Sequence, residues 1–163
     1  MENYIKTVLY AYPLLKTVGD DYAEHIRNKA LLSYDSRMDA ESLAEYLAEE
    51  ILRKNCLLWL KGVIEETLTK LNELERALIE VRYFGKKKRI KEFPFPQKKA
   101  MDGMNPKFWS ERKYFRYQQR LGEKIGGMLT VAGVTKEVFE KELADLEVIK
   151  KIHRLVVAQR IPT

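Results

Sequence analysis

The chain has 163 residues, 45% of them apolar and 33% charged, which is enough for one folded domain with a buried core and too varied for a low-complexity chain. Its charge is uneven: residues 82–120 contain thirteen Lys or Arg and three Asp or Glu, a net of +10, whereas the rest, with seventeen and twenty-one, nets −4. The longest apolar run, residues 8–15, is far shorter than the ~20 residues of a membrane-spanning helix, and the first residues lack the pattern of a signal peptide.

The first part of the chain predicts helices separated by turn signals. Apolar residues from Val8 onward predict a short first helix that ends or kinks at Pro13, because proline lacks the N–H that a helix interior needs. Residues 14–32 predict a second helix, interrupted at 19–21. After a turn at 34–37, Asp39 is a good N-cap for the next helix.

The clearest helical periodicity lies between residues 57 and 81. Apolar residues recur there in steps of three and four, with Thr67 as the one polar member, which is typical of a packing stripe or a short coiled coil. Asn72 followed by Glu75 resembles a capping box, so one continuous helix and two consecutive helices both remain open. The stripe consists of Leu57, Leu60, Ile64, Thr67, Leu71, Leu74, Leu78 and Val81.

A long basic connection is predicted over residues 85–109. Gly85 ends the periodic pattern, and the prolines at 94, 96 and 106 prevent continuous helix. Aromatic residues interleave with the charges and are expected to anchor the connection to the helical body. The connection begins with a cationic run, Lys86, Lys87, Lys88 and Arg89.

Two further helices are predicted after this connection. Ser110 is an N-cap for a helix that ends near Ala132, where Gly133 follows, and Thr135 caps a last helix. Alternating strand patterns are missing, so the sequence predicts an all-α fold, a compact multi-helix domain over residues 1–163. Its parts are an N-terminal helical part (1–70), a central part (71–132) and a C-terminal helix (134–163).

The sequence offers little support for catalysis. His25 and His153 are not at ligand spacing from a second histidine, and Cys56 is the one cysteine. We therefore predict no enzyme, no catalytic residues, no metal site and no cofactor. The single cysteine favours a cytoplasmic protein, and the short apolar runs favour one that does not enter a membrane.

Two segments resemble region 4 of sigma-70-type RNA polymerase sigma factors and similar phage regulators. The first, residues 71–84, carries Glu75-Arg76 and ends in Arg82-Tyr83-Phe84; the second, residues 110–125, begins with Ser110 and contains Arg116, Arg120 and Glu123-Lys124-Ile125. In that family a Ser-capped helix with an Arg-rich first half is the recognition helix. The family has a short helix and a tight turn where this chain has residues 85–109, so the resemblance implies a remodelled helix-turn-helix.

Residues 4–13 also resemble the opening of short proteins from clostridia and their mobile elements. That opening reads Tyr-Ile-Lys-Thr-Val-Leu-Tyr-Ala-Tyr-Pro. The resemblance implies a bacterial protein and no particular activity.

We predict a non-catalytic, DNA-binding transcriptional regulator. Basic side chains release counterions from phosphates, and Arg and Gln on a helix can read a major groove. Lys86, Lys87, Lys88 and Arg89 would hold phosphates, whereas the helix after Ser110 would meet DNA. Its predicted contact residues share one polar side, opposite Tyr114, Leu121, Ile125 and Met128: Arg112, Lys113, Arg116, Gln119 and Arg120.

Other interpretations remain open for the same features. The basic segment could be a solvated loop that balances the acidic helices, or a surface for an acidic protein or a membrane. The chain could instead be a helical protein-interaction module, whose stripe over 57–81 or last helix binds RNA polymerase, another protein or a second copy as a homodimer.

Overall fold

The computed structural model describes residues 1–32, 39–86 and 110–159, and these ranges contain helices and no strand, which confirms the all-α prediction. Helix α1 packs against α2 and α6, and α2 packs against α4. The predicted connection over 85–109 lies outside the described residues except for Gly85 and Lys86. The helices are α1 (Asn3–Leu32), α2 (Ala40–Thr69), α3 (Glu73–Tyr83), α4 (Glu111–Val131), α5 (Lys136–Val138), a π-helical turn (Phe139–Leu143) and α6 (Glu147–Val157).

Helix α1 is continuous, so the predicted end at Pro13 and the interruption at 19–21 are wrong. Pro13 is exposed, whereas Leu9 and Leu15 on either side of it are buried in the core. This burial offsets a helix penalty of about 3 kcal/mol for an interior proline. Gly19 is buried, and a Cβ at this position would lie 3.3 Å from Leu58 Cδ2 of α2. The two helices therefore approach each other closely at this point.

The predicted N-caps are confirmed. Each cap side chain accepts a hydrogen bond from a free N–H of the first helical turn, as the sequence pattern requires. Asp39 holds α2, Ser110 holds α4 and Thr135 holds α5. The bonds from the Ser42 N–H and hydroxyl hold the pKa of Asp39 below its usual range, so this cap weakens only as the pH falls through that lowered pKa. The donors are Ser42, Lys113 and Val138, at 2.7, 3.3 and 3.2 Å.

The boundary between α2 and α3 settles the alternative that the sequence left open. Helix α2 ends at Thr69, and a complete capping box starts α3. The Glu75 N–H donates to Asn72 Oδ1 at 2.9 Å, and the Asn72 N–H donates to Glu75 Oε2 at 3.0 Å. The stripe therefore runs over two helices, not one.

The predicted apolar stripe is the centre of the core. Leu57, Leu60 and Ile64 are fully buried, Leu71 and Leu78 are buried, and Leu74 is half-buried. The buried hydroxyl of Thr67 donates to Val63 O at 2.9 Å, which satisfies the one polar group of the stripe. The stripe is therefore filled mostly by packing within one chain, and a homodimer through residues 57–81 stays a prediction.

Two glycines bring α4 close to the first residues of the chain. A Cβ on Gly122 would lie 2.7 Å from Met1 Cε, and one on Gly126 would lie 2.9 Å from Ile5 Cδ1. Gly127 meets nothing within 4 Å and has no such role. Gly133, at φ +98°, follows the end of α4 as predicted, in a conformation that favours glycine.

The C-terminal part is broken, so the prediction of one last helix is wrong. After α5 the backbone widens into a π-helical turn, in which the Ala144 N–H donates to Phe139 O at 2.7 Å. This turn buries both Phe139 and Leu143. Helix α6 then starts after Leu146 and buries Ile149 and Val156.

Candidate nucleic-acid interface

Helix α4 has the two sides that the sequence predicts. Leu121 and Ile125 are buried, and Tyr114 and Met128 are half-buried. At about 100° per residue, the five predicted contact residues fall within an arc of about 120° around the helix axis. All five are exposed: Arg112, Lys113, Arg116, Gln119 and Arg120.

The guanidinium groups of this arc are available to a ligand. Within the described ranges, Arg112, Arg116 and Arg120 take part in no ion pair and no side-chain hydrogen bond. Gln119 donates from Nε2 to Glu123 Oε1 at 3.4 Å, which is a long and weak bond. We define Arg112, Lys113, Arg116, Gln119 and Arg120 as the α4 basic face.

An ion pair fixes α4 against α3. Lys124 Nζ lies 2.8 and 2.9 Å from the two oxygens of Glu75, whose side chain is nearly buried. Glu75 is also the carboxylate of the capping box, so the start of α3 and the middle of α4 share one group. The two charges therefore set the orientation from which the α4 basic face meets solvent.

Removing this charge pair is expected to destabilise the fold. Glu75→Gln keeps the shape and one capping oxygen but loses the charge opposite Lys124, so we expect a loss of about 1–3 kcal/mol in the free energy of unfolding. A double-mutant cycle with Lys124→Met, followed by urea denaturation, isolates the pair itself. A coupling below about 0.5 kcal/mol would show that the pair does not hold α4.

Part of the sigma resemblance lies on residues that make structural contacts within the fold, namely Glu75-Arg76 and Arg82-Tyr83-Phe84. Arg76 donates from Nη2 to Leu68 O at 3.0 Å and so caps the end of α2. Tyr83 is buried edge-on against Tyr10, and burial raises the pKa of its phenol. Phe84 lies 4.7 Å from Tyr12, centroid to centroid, so the end of α3 is anchored to α1.

The predicted phosphate-holding run is described only in part. Lys86 is exposed, and its Nζ lies 3.3 Å from Glu80 Oε1, so part of its charge is neutralised. Lys87, Lys88 and Arg89 lie outside the described residues, and their role stays a prediction.

The two histidines lie in contacts between helices. His153 Nδ1 lies 3.0 Å from Thr7 Oγ1, and His25 contacts the Tyr46 hydroxyl. Burial raises the pKa of the half-buried Cys56 thiol. Across residues 1–32, 39–86 and 110–159, no three His, Cys, Asp or Glu side chains are grouped as ligands for a metal.

Comparison with known proteins adds no relative to these observations. No protein-family model matches the chain, and searches of curated proteins and of solved structures found no match. The sigma resemblance therefore depends on the residues of segments 71–84 and 110–125 alone. In the part of the chain that the structure describes, every helix is too short or too polar to cross a membrane.

Proposed function

We propose that the chain is a DNA-binding transcriptional regulator that resembles sigma region 4 and has no catalytic activity. The observation that carries this proposal is the α4 basic face. Three exposed arginines without ion pairs lie on a helix whose opposite side is buried. The core therefore holds the helix in place while the arginines face solvent. A cytoplasmic location, which the single cysteine favours, belongs to the same proposal.

The chemistry of the α4 basic face suits a major groove. An arginine can donate two hydrogen bonds to O6 and N7 of guanine, and a glutamine can pair with N6 and N7 of adenine. Arg116 and Gln119 lie one helical turn apart on the exposed side and would read base edges. Lys113 and the cationic run Lys86, Lys87, Lys88 and Arg89 would hold phosphates and fix the register.

A salt titration of binding to random duplex DNA tests this proposal. Lys113 and the four cations of the run make five proposed phosphate contacts, so the slope of log K against log salt is expected to be about −4.5. Fluorescence anisotropy of a labelled duplex between about 50 and 200 mM salt measures it. Absence of duplex binding at about 50 mM salt would contradict the proposal.

A second candidate function is a helical protein-interaction module, and a different surface favours it. Leu58, Trp59 and Val131 are 43%, 40% and 91% exposed and line one open groove between α2 and the end of α4. Exposed apolar residues grouped in this way are typical of protein contacts. A chain that does not bind duplex DNA in the titration above would favour this function.

A further inference from the structure

A second groove lies beside the α4 basic face, between the start of α1, α3 and α4. It measures about 180 Å³, below the ~300–1,000 Å³ of pockets that enclose a drug-sized ligand. It therefore suits one ring-sized group of a larger partner. Its lining includes Lys6, Arg82, Tyr83, Phe115, Gln118 and Gln119.

Phe115 is the unexpected member of this lining. Its side chain is 56% exposed, and its ring meets Tyr114 edge-on at 5.7 Å between centroids. Arg112 and Gln119 lie one turn before and after it on α4. An exposed aromatic ring among cations and amides offers a stacking surface that core packing does not require.

The polar groups around Phe115 match the other parts of a nucleotide. Lys6 and Arg82 form no ion pair within the described ranges, and the Arg82 guanidinium lies 5.6 Å from the Tyr83 ring centroid. Both cations can meet a phosphate. Gln118 donates from Nε2 to Tyr114 Oη at 2.7 Å, which leaves its amide oxygen as an acceptor for a base edge.

We propose that this groove binds an unpaired base of single-stranded DNA, stacked on Phe115, next to the duplex that the α4 basic face contacts. The proposal rests on the proposed function, since it extends the same DNA-binding surface. A duplex base is already stacked on both faces, so an exposed aromatic ring in a ring-sized groove selects a base that has left the stack. Lys6 and Arg82 would hold the phosphates of that strand.

The test compares two probes, a single-stranded oligothymidine of about 12 nucleotides and a duplex of the same length. Phe115→Ala is expected to weaken single-strand binding about 5- to 150-fold, the equivalent of ~1–3 kcal/mol per stacked base. Duplex binding should change less than about 2-fold, since scattered surface changes contribute little. Trp59→Ala, an exposed aromatic on α2 outside the groove, is the matched control and should affect neither probe.

The outcomes separate this proposal from the proposed function. Duplex binding without single-strand binding, or single-strand binding that Phe115→Ala leaves unchanged, would overturn the groove proposal alone. Single-strand binding that depends on Phe115, in a chain that does not bind the duplex, would support the groove and overturn the duplex-binding regulator. Failure to bind either probe would overturn both proposals.

Discussion

Leu60→Ala is expected to lower the free energy of unfolding by about 2–5 kcal/mol. Leu60 is fully buried in the middle of the apolar stripe on α2, so the substitution removes buried carbon atoms and leaves a cavity. Urea denaturation followed by circular dichroism measures the change. The loss is a large share of the ~5–15 kcal/mol stability of a typical domain.

Leu52→Ala on the same helix is the matched control. Leu52 is the same residue type but is 65% exposed, so its truncation removes little buried surface. We expect its effect to stay within about 0.5 kcal/mol. Equal losses at the two positions would contradict the placement of the core on the stripe side of α2.

Local signals in the sequence predicted the starts of α2, α4 and α5. Asp39, Ser110 and Thr135 each accept a bond from the N–H of the residue three positions on, so a short pattern contains the signal. Asn72 caps α3 in the same way, although the sequence left a continuous helix open there. The two sides of α4 were equally predictable, because burial there follows the helical period.

Tertiary packing decided the features that the sequence did not predict. Helix α1 continues through Pro13 because core residues on both sides are buried, and a local rule cannot weigh that burial. The π-helical turn likewise depends on the burial of Phe139 and Leu143. Both features needed knowledge of which residues meet in space.

The candidate site shows the same division. The α4 basic face lies on one helix, so the sequence spacing of its residues was enough to predict it. The ion pair between Glu75 and Lys124 joins two helices, and the groove beside Phe115 combines side chains from three. The one available signal for the groove was an aromatic residue, Phe115, placed between basic residues on a helix.

Arg116→Glu is expected to weaken binding to duplex DNA by more than about 10-fold. Arg116 lies at the centre of the α4 basic face, where a lost base contact costs ~1–3 kcal/mol and the new carboxylate repels phosphate. Arg154→Glu, an exposed arginine in the last turn of α6, makes the same change in net charge and is the matched control. We expect this variant to weaken binding by less than about 3-fold, because it changes only the general electrostatic attraction between the protein and DNA.

The ratio of these two dissociation constants tests most directly whether α4 is the DNA-contacting helix. Both constants are measured at one salt concentration, after circular dichroism has shown that both variants are folded. A clearly larger loss for Arg116→Glu is the result that we predict. Equal losses would mean that DNA is attracted by the net charge of the protein and not by the α4 basic face.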